Sequence, residues 1–179
     1  MVGSGPAGQA GRIEVGDDNL FREGATVNLP ARGEVTRIGS RNRFHAASNV
    51  GAGCTIGNDV VVGTFAGLSS HTVVGDRAWI EGSGGTEEHV TIGRGGWLQT
   101  HTKAVADIPP YLGAGGDLQE IRGVNPLFRT PALERALEIG WKSGLSREEA
   151  IRKLEKDASP EVAELVAFLR LPSREAADE

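Results

Sequence analysis

Residues 38–104 read IGSRNRFHAASNVGAGCTIGNDVVVGTFAGLSSHTVVGDRAWIEGSGGTEEHVTIGRGGWLQTHTKA. Ile38, Phe44, Val50, Ile56, Val62, Leu68, Val74, Ile80, Thr86, Ile92, Leu98 and Ala104 fall six apart, and only Thr86 among them is not apolar. Four residues after each of the first eleven lies a second set, running from Asn42 through Cys54, Thr72 and Val90 to Thr102. Ten of those eleven are small or β-branched. Glycine directly follows the apolar position at Gly39, Gly51, Gly57, Gly63, Gly75 and Gly93.

A period of six matches neither the 3.6 of an amphipathic helix nor the 2.0 of a strand. Hexapeptide repeats are the signature of a parallel β-helix. Three hexads make one triangular coil, so residues eighteen apart stack about 4.8 Å apart along the axis. The twelve hexads make about four coils. The large aliphatic fills the interior, and the small residue four places on fits the crowded corner. The glycine is expected to permit the tight turn.

Outside this stretch the chain changes character twice. Residues 1–11, MVGSGPAGQAG, are patternless and read as a flexible lead. From Ile13 a first coil shows a different phase, with Val15, Phe21 and Val27 six apart. The phase breaks between Asn28 and Thr36, where a loop leaves the solenoid. The β-helix is expected over 12–106, and 107–131, with Pro109-Pro110 and several glycines, as an extended exit. Helices are expected over 132–171. The first spans 132–143 and is closed by Gly144; a second from Arg147 to Lys156 opens on a Ser146/Glu149 capping box. A third opens with Ser159 and Pro160 at N-cap and N1 and runs to Leu171. Residues 172–179 are expected to fray.

Composition narrows the role. The 179 residues carry a net charge of −5, which disfavours nucleic-acid or polybasic membrane binding. No apolar run approaches the ~18 residues of a membrane span, and the N-terminus lacks the pattern of a signal peptide. A cytoplasmic protein without a cofactor is expected. The one cysteine, Cys54, lies at a corner position of the repeat and reads as a buried structural thiol.

His71 and His89 are eighteen apart, so they stack on one corner; His101 has the same register on a different face. They are either interface histidines or a general base. No third metal ligand shares their corner, which speaks against a metal site and against a zinc-dependent carbonic anhydrase of the same architecture. Trp79 and Trp97 are also eighteen apart and point outward. They are covered by a trimer interface or by the C-terminal helices, or they form a platform for a ligand ring or acyl chain. Glu81 stands where the neighbouring column has small residues and is placed to pair across an interface. Glu87-Glu88 is a solvated turn or a carboxylate pair. Arg122, Arg129, Arg135, Lys142 and Arg147 cluster near the exit and first helix, as a charged helix surface or as a seat for a phosphate or an acidic carrier protein.

Several stretches carry a resemblance. RIEVGDDNLFREGATVN (12–28), VTRIGSRNRF (35–44), GCTIGNDVVVGTFAGLSSHTVVGD (53–76), DIPPYLGAGG (107–116) and RGVN (122–125) are the main ones, with WKSGLSREEAI and SPEVAELVAFL in the tail. Together they resemble the UDP-N-acetylglucosamine O-acyltransferases of lipid A biosynthesis, the LpxA family, over about residues 12–170. The resemblance implies an all-β left-handed parallel β-helix with a small C-terminal α-helical domain, assembled as a homotrimer. It implies transfer of a hydroxyacyl chain from acyl carrier protein to the 3-hydroxyl of UDP-N-acetylglucosamine, with a histidine as general base and no metal.

The departures fall at the chemistry. Where the family has Asn-Ala-His-Ile-Ala-His-Asp-Cys, this chain has, after Ala46, the run Ala47-Ser48-Asn49-Val50-Gly51-Ala52-Gly53-Cys54. That alignment puts Ala52 at the catalytic histidine, Gly53 at its neighbouring acid and Asn49 at the other histidine. A further family histidine becomes Glu87. The paired glycines that leave room for the acyl chain become Gln99-Thr100. The family's first several coils have no counterpart. His71 and Asn125 match the family positions for donor and sugar-nucleotide contacts. The expectation is a divergent member that has lost the family's reaction or altered its substrate. The alternatives are an active acyltransferase whose base has moved to His71, His89 or Glu87, and a non-catalytic trimeric scaffold. Asn125, Arg122, Gln99, Trp79 and Trp97 are the candidate substrate contacts.

Overall fold

The computed structural model describes residues 2–4, 11–116 and 119–171. Short strands stack into three flat faces of a triangular parallel solenoid of about four turns. The first face orders Val2–Ser4, Thr26–Asn28, Asn49–Val50, Gly67–Leu68, Gly85–Thr86 and Lys103–Ala104. The second orders Arg12–Val15, Val35–Ile38, Thr55–Ile56, Val73–Val74 and Thr91–Ile92. The third orders Leu20–Phe21, Arg43–Phe44, Val61–Val62, Trp79–Ile80, Trp97–Leu98 and Leu112–Gly115, and ends on Glu120–Val124, which runs antiparallel. Of the expected flexible lead, Val2–Ser4 is a strand paired with Val27 and Asn28; residues 5–10 and 172–179 lie outside the described residues.

The hexad residues point inward. Val50, Val62, Leu68, Ile80, Ile92, Leu98 and Ala104 are fully buried in a single core. The two phases of the sequence are one register. Val15, Phe21 and Val27 pair with Ile38, Phe44 and Val50, twenty-three residues on, whereas Ile38 pairs with Ile56, eighteen on. Residues 29–34 make up the difference, looping out between Asn28 and Val35. Phe21 and Phe44 stack across this join with centroids 4.7 Å apart.

The glycines act differently from expectation. Those directly after the hexad position are not among the positive-φ residues. The left-handed residue at each corner is two places further on, and it is seldom glycine: Arg41, Ala47, Asp59, Phe65, His71, Arg77, Ser83, His89 and His101 all have φ between 55 and 61°. The glycines are needed for a close approach between coils. A methyl group at Gly75 would lie 2.6 Å from the backbone N of Arg94, and one at Gly63 2.6 Å from the carbonyl carbon of Glu81. Stacked coils meet backbone to backbone there, so a side chain would force them apart.

Polar ladders hold the corners between the second and third faces. Asp76 Oδ1 accepts from Asn58 N at 2.8 Å, Asn58 Oδ1 from Ser40 N at 2.8 Å, and Ser40 Oγ from Asp17 N at 3.0 Å. Each side chain thus satisfies a backbone donor of the preceding coil. Outside them Arg41 pairs with Asp59, and that bond holds the Asp59 carboxyl below its usual range.

The solenoid is closed at its C-terminal end. The Leu112–Gly115 and Glu120–Val124 hairpin extends the third face, and Ile121 touches both the solenoid core and a second core. That second core joins Tyr111, Leu112 and Val124 to α1 (Pro131–Leu137), α2 (Arg147–Leu154) and α3 (Pro160–Leu169). Thr130 caps α1 through its side chain, the helix starts at Pro131, one residue earlier than expected, and a wider π turn continues it over Glu138–Lys142. The Ser146/Glu149 capping box is present. Ser159 occupies the N-cap of α3 but donates its hydroxyl to Asp157 at 2.5 Å instead of capping. Glu164 of α3 accepts from Tyr111 Oη at 2.6 Å and pairs with Arg94, fastening the helices to the last coil. Burial and Glu164 push the Tyr111 hydroxyl up to about 12.

Glycine is favoured at both corner positions, for different reasons. Gly75→Ala brings a methyl group against backbone and lowers the melting temperature. Ser83→Gly relieves a left-handed residue and stabilises by about 0.5–1 kcal/mol. Thermal denaturation of both variants checks the pair of signs.

Candidate functional site

His71 and His89 project from successive coils at the corner between the first and second faces. Both occupy the left-handed turn position, which directs their side chains away from the core. Their rings lie parallel, 4.8 Å apart with 8° between planes. His71 is half-buried and His89 exposed. Gly53 begins the column: a methyl group there would fall 2.5 Å from His71 Nδ1, so the bare glycine makes room for the ring. The backbone N of His71 donates to Ala52 O at 2.8 Å, and that of His89 to Ser70 O at 3.1 Å. Ala52 therefore sits on this corner, beside the retained histidine.

A polar cluster lies inside the same corner. Thr86 points inward and is 3% exposed. Its hydroxyl accepts from Ser69 N at 3.0 Å and lies 2.8 Å from the Thr72 hydroxyl. Ser69 Oγ donates to Thr86 O at 2.6 Å. These hydroxyls satisfy one another, so the one polar residue of the hexad phase carries no unpaired group inward. Ser69 and Thr72 were not among the candidates. Their signal was the coincidence of a missing glycine after Leu68 with a threonine at position 86.

Glu87 follows Thr86 on this corner and pairs with Lys103 at 3.0 Å; Glu88 is exposed. No metal-binding cluster of three or more His, Cys, Asp or Glu occurs among the described residues. Cys54 is buried, and its Sγ lies 3.1 Å from Ser69 O. Burial pushes its thiol up to about 11.

The other candidates stand elsewhere. Trp79 and Trp97 stack on the third face with centroids 6.2 Å apart. Trp97 lies against Gly113 and donates from Nε1 to Glu81 at 2.9 Å. The other Glu81 oxygen accepts from Thr100 N at 2.9 Å. Glu81 is thus engaged within the chain, where an interface partner was expected. Gln99 packs over Gly115, and Arg122 pairs with Glu120 beside it. Asn125 is fully buried. It donates to Gly95 O at 2.8 Å and accepts from Leu127 N at 3.0 Å, tying the exit segment to the last coil. The basic side chains near the helices also have partners: Arg129 with Glu134, Arg135 with Asp157, Lys142 with Glu138, and Arg147 with the carbonyls of Leu169 and Leu171. The histidine corner and the tryptophan face are therefore separate features of one chain. His45 and His101 belong to the third corner, away from the stacked pair.

A triangular parallel β-helix with outward histidines on one corner and a helical cap defines a hexapeptide-repeat protein. No family model matches the sequence. The chain is 30% identical over 176 residues to the acyl-[acyl-carrier-protein]–UDP-N-acetylglucosamine O-acyltransferase of Anaeromyxobacter sp. (strain K), covering 91% of this chain and 68% of the relative. It is 30% identical over 181 residues to the enzyme of that name from Alkalilimnicola ehrlichii, covering 94% and 70%. The crystal structure of LpxA, a UDP-N-acetylglucosamine acyltransferase from Bacteroides fragilis, superposes with a TM-score of 0.87 at 27% identity, over 93% of this chain and 70% of that one. The chain belongs to the acyl-[acyl-carrier-protein]–UDP-N-acetylglucosamine O-acyltransferase family, and its solenoid is the family's left-handed β-helix.

A thiol pushed up to about 11 stays protonated at pH 8. Cys54 is expected to resist thiol reagents at pH 8 in the native protein and to react at once in denaturant. Because the folded thiol ionises later than the unfolded one, stability is retained below about pH 8.5 and falls as pH rises toward 11. Thiol titration with and without denaturant, and melting at pH 8 and 10, check both statements.

Proposed function

We propose that this protein is a divergent, homotrimeric member of the family that has lost the family's own transfer reaction and retains its fold and histidine corner for binding. The observation that carries this reading is Ala52. At the position matched to the catalytic base stands a methyl group, on the corner where the solenoid presents His71 and His89. A methyl group accepts no proton, and the neighbouring acid position, Gly53, offers none of the support that would orient an imidazole. Transfer from a thioester to a hydroxyl needs a base, oxyanion donors and positioning. The base is missing by residue type, and so is the acid beside it. The ligands this reading expects are those named for the relatives: an acyl carrier protein donor and a UDP-sugar, both partners of a cytoplasmic protein. His71 and His89 would meet the ligand from this chain. Trp79, Trp97, Gln99 and Arg122 would act from the third face and exit segment, with Asn125 holding that segment in place.

One observation favours a second reading, an active enzyme with a relocated base. The His71 ring packs on Gly53, adjacent to Ala52, and is half-buried where a base would be. His89 lies on its far side. Glu87 is a weaker candidate, because it is paired with Lys103.

The two readings separate in an acyl-transfer assay with UDP-N-acetylglucosamine and acyl carrier proteins bearing short and long chains. The expected result is no transfer by the native protein and a gain in Ala52→His, within the roughly 10²–10⁴-fold range of a general base. Transfer by the native protein that His71→Ala abolishes overturns this reading in favour of the relocated base.

A further inference from the structure

Two features of the first face have no use within the chain. Phe65 stands at the corner between the third and first faces, 70% exposed, in the left-handed conformation with φ 58°. A bulky side chain rarely takes that conformation, and strain held at one position points to a use for it. Ala47 and Ser83, one coil to either side along the corner, are small, so the ring projects alone. Gly67 and Gly85 lie on the first face itself, paired one coil apart. Leu68 and Thr86 beside them are buried, so the glycines hold the outward positions. Neither has a positive φ. Among the described residues, a methyl group at Gly67 would meet nothing within 4 Å, and one at Gly85 only Gly67 O at 3.2 Å. At Gly63 and Gly75 the neighbouring coil forbids a side chain, whereas at Gly67 nothing in the chain does.

Glycine inside a strand weakens it and marks a place where a ligand or another backbone comes close. These two glycines floor a hollow. Asn49 and Lys103 continue the column on either side, and both carry side chains. Each is engaged within the chain, Asn49 Oδ1 with the Thr26 hydroxyl at 2.8 Å and Lys103 with Glu87 at 3.0 Å. The floor is bare and its ends are polar and satisfied, as in the core and rim of an interface. We propose that Phe65 of a second copy of this chain seats in this hollow, and that the contact repeats around a closed ring of three.

The knob and the hollow sit at one height. Phe65 and Gly67 belong to the same coil, and Gly85 is one coil on, about 4.8 Å along the axis. An aromatic ring lies across that spacing. The two patches differ, so the contact is heterologous, and such contacts close into a ring only if the rotation carries no rise. A turn about an axis parallel to the solenoid carries none. It brings Phe65 of one copy level with Gly67 of the next. Each copy then seats one ring and receives one, which leaves neither feature without a partner. The floor lies between the corner of Phe65 and the corner of His71, so the seated ring stands beside the histidine corner of the receiving copy. An aromatic anchor in a fitted hollow is the kind of contact that dominates an interface.

The inference rests on the trimeric part of the proposed function and is independent of whether transfer is lost. Two exchanges test it, and both suit the isolated chain. Gly67→Val adds a β-branched residue to a strand with room for it, and Phe65→Gly removes a side chain from a left-handed position. Sedimentation of the full chain gives the number of chains. Subunit exchange between tagged and untagged protein gives the rate at which the assembly opens. The expected result is three chains in the native protein, with exchange about tenfold faster or more in each variant and circular dichroism unchanged. A native trimer in which either variant exchanges at the native rate overturns the inference alone. A native chain that is not a trimer overturns it together with the trimeric reading.

Discussion

Backbone-to-backbone stacking of one coil on the next is the constraint from which the rest follows. Coils can meet closely only if nothing stands between them at the corner. Glycine after the hexad residue clears that space. Two residues later the chain must turn left-handed to enter the next face, and at most corners it does so with an ordinary side chain. Each such residue costs roughly 1–2 kcal/mol by itself. The surrounding ladder, repeated every coil, holds it in place. The strain also has a use, since it aims those side chains outward in vertical columns. The stacked imidazoles of His71 and His89 are one such column, and the Arg41–Asp59 ion pair lies in another.

Much of this was legible in the sequence. The inward phase from Ile38 to Ala104 could be read by counting, because a coil of constant length leaves a constant period. The stacking of His71 on His89 and of Trp79 on Trp97 followed from the same arithmetic. The role of the glycines was not legible. Freedom in φ and lack of a side chain are both properties of glycine, and only the packed coils reveal which is used. The loop over 29–34 could be recognised as a break, but not as the five extra residues that keep Val15 in register with Ile38. Asn125 and Glu81 show another limit. As residue types they suggested a ligand or an interface, whereas their hydrogen bonds lie within the chain.

The corner of Ala52 has an inward side and an outward side with separate contacts. Thr86, Thr72 and Ser69 form a closed set of hydroxyl contacts beneath the histidines, and Cys54 sits buried in the same column as Thr72. Those contacts depend on the inward side of the coil. Ala52, Gly53, His71 and His89 occupy the outward side. In a solenoid the residues that fold and the residues that act alternate along one strand and scarcely touch. An outward residue can therefore be exchanged without disturbing the ladder beneath it.

The helical cap gives the molecule a direction. A stack in which each coil is held only by its neighbours opens from whichever end is least supported. The last coil is tied down by Tyr111, Arg94 and the helices. Opening should therefore reach that coil last, like a zip whose far end is stitched shut. Amide protection would be highest in the coil that Tyr111 and Arg94 fasten.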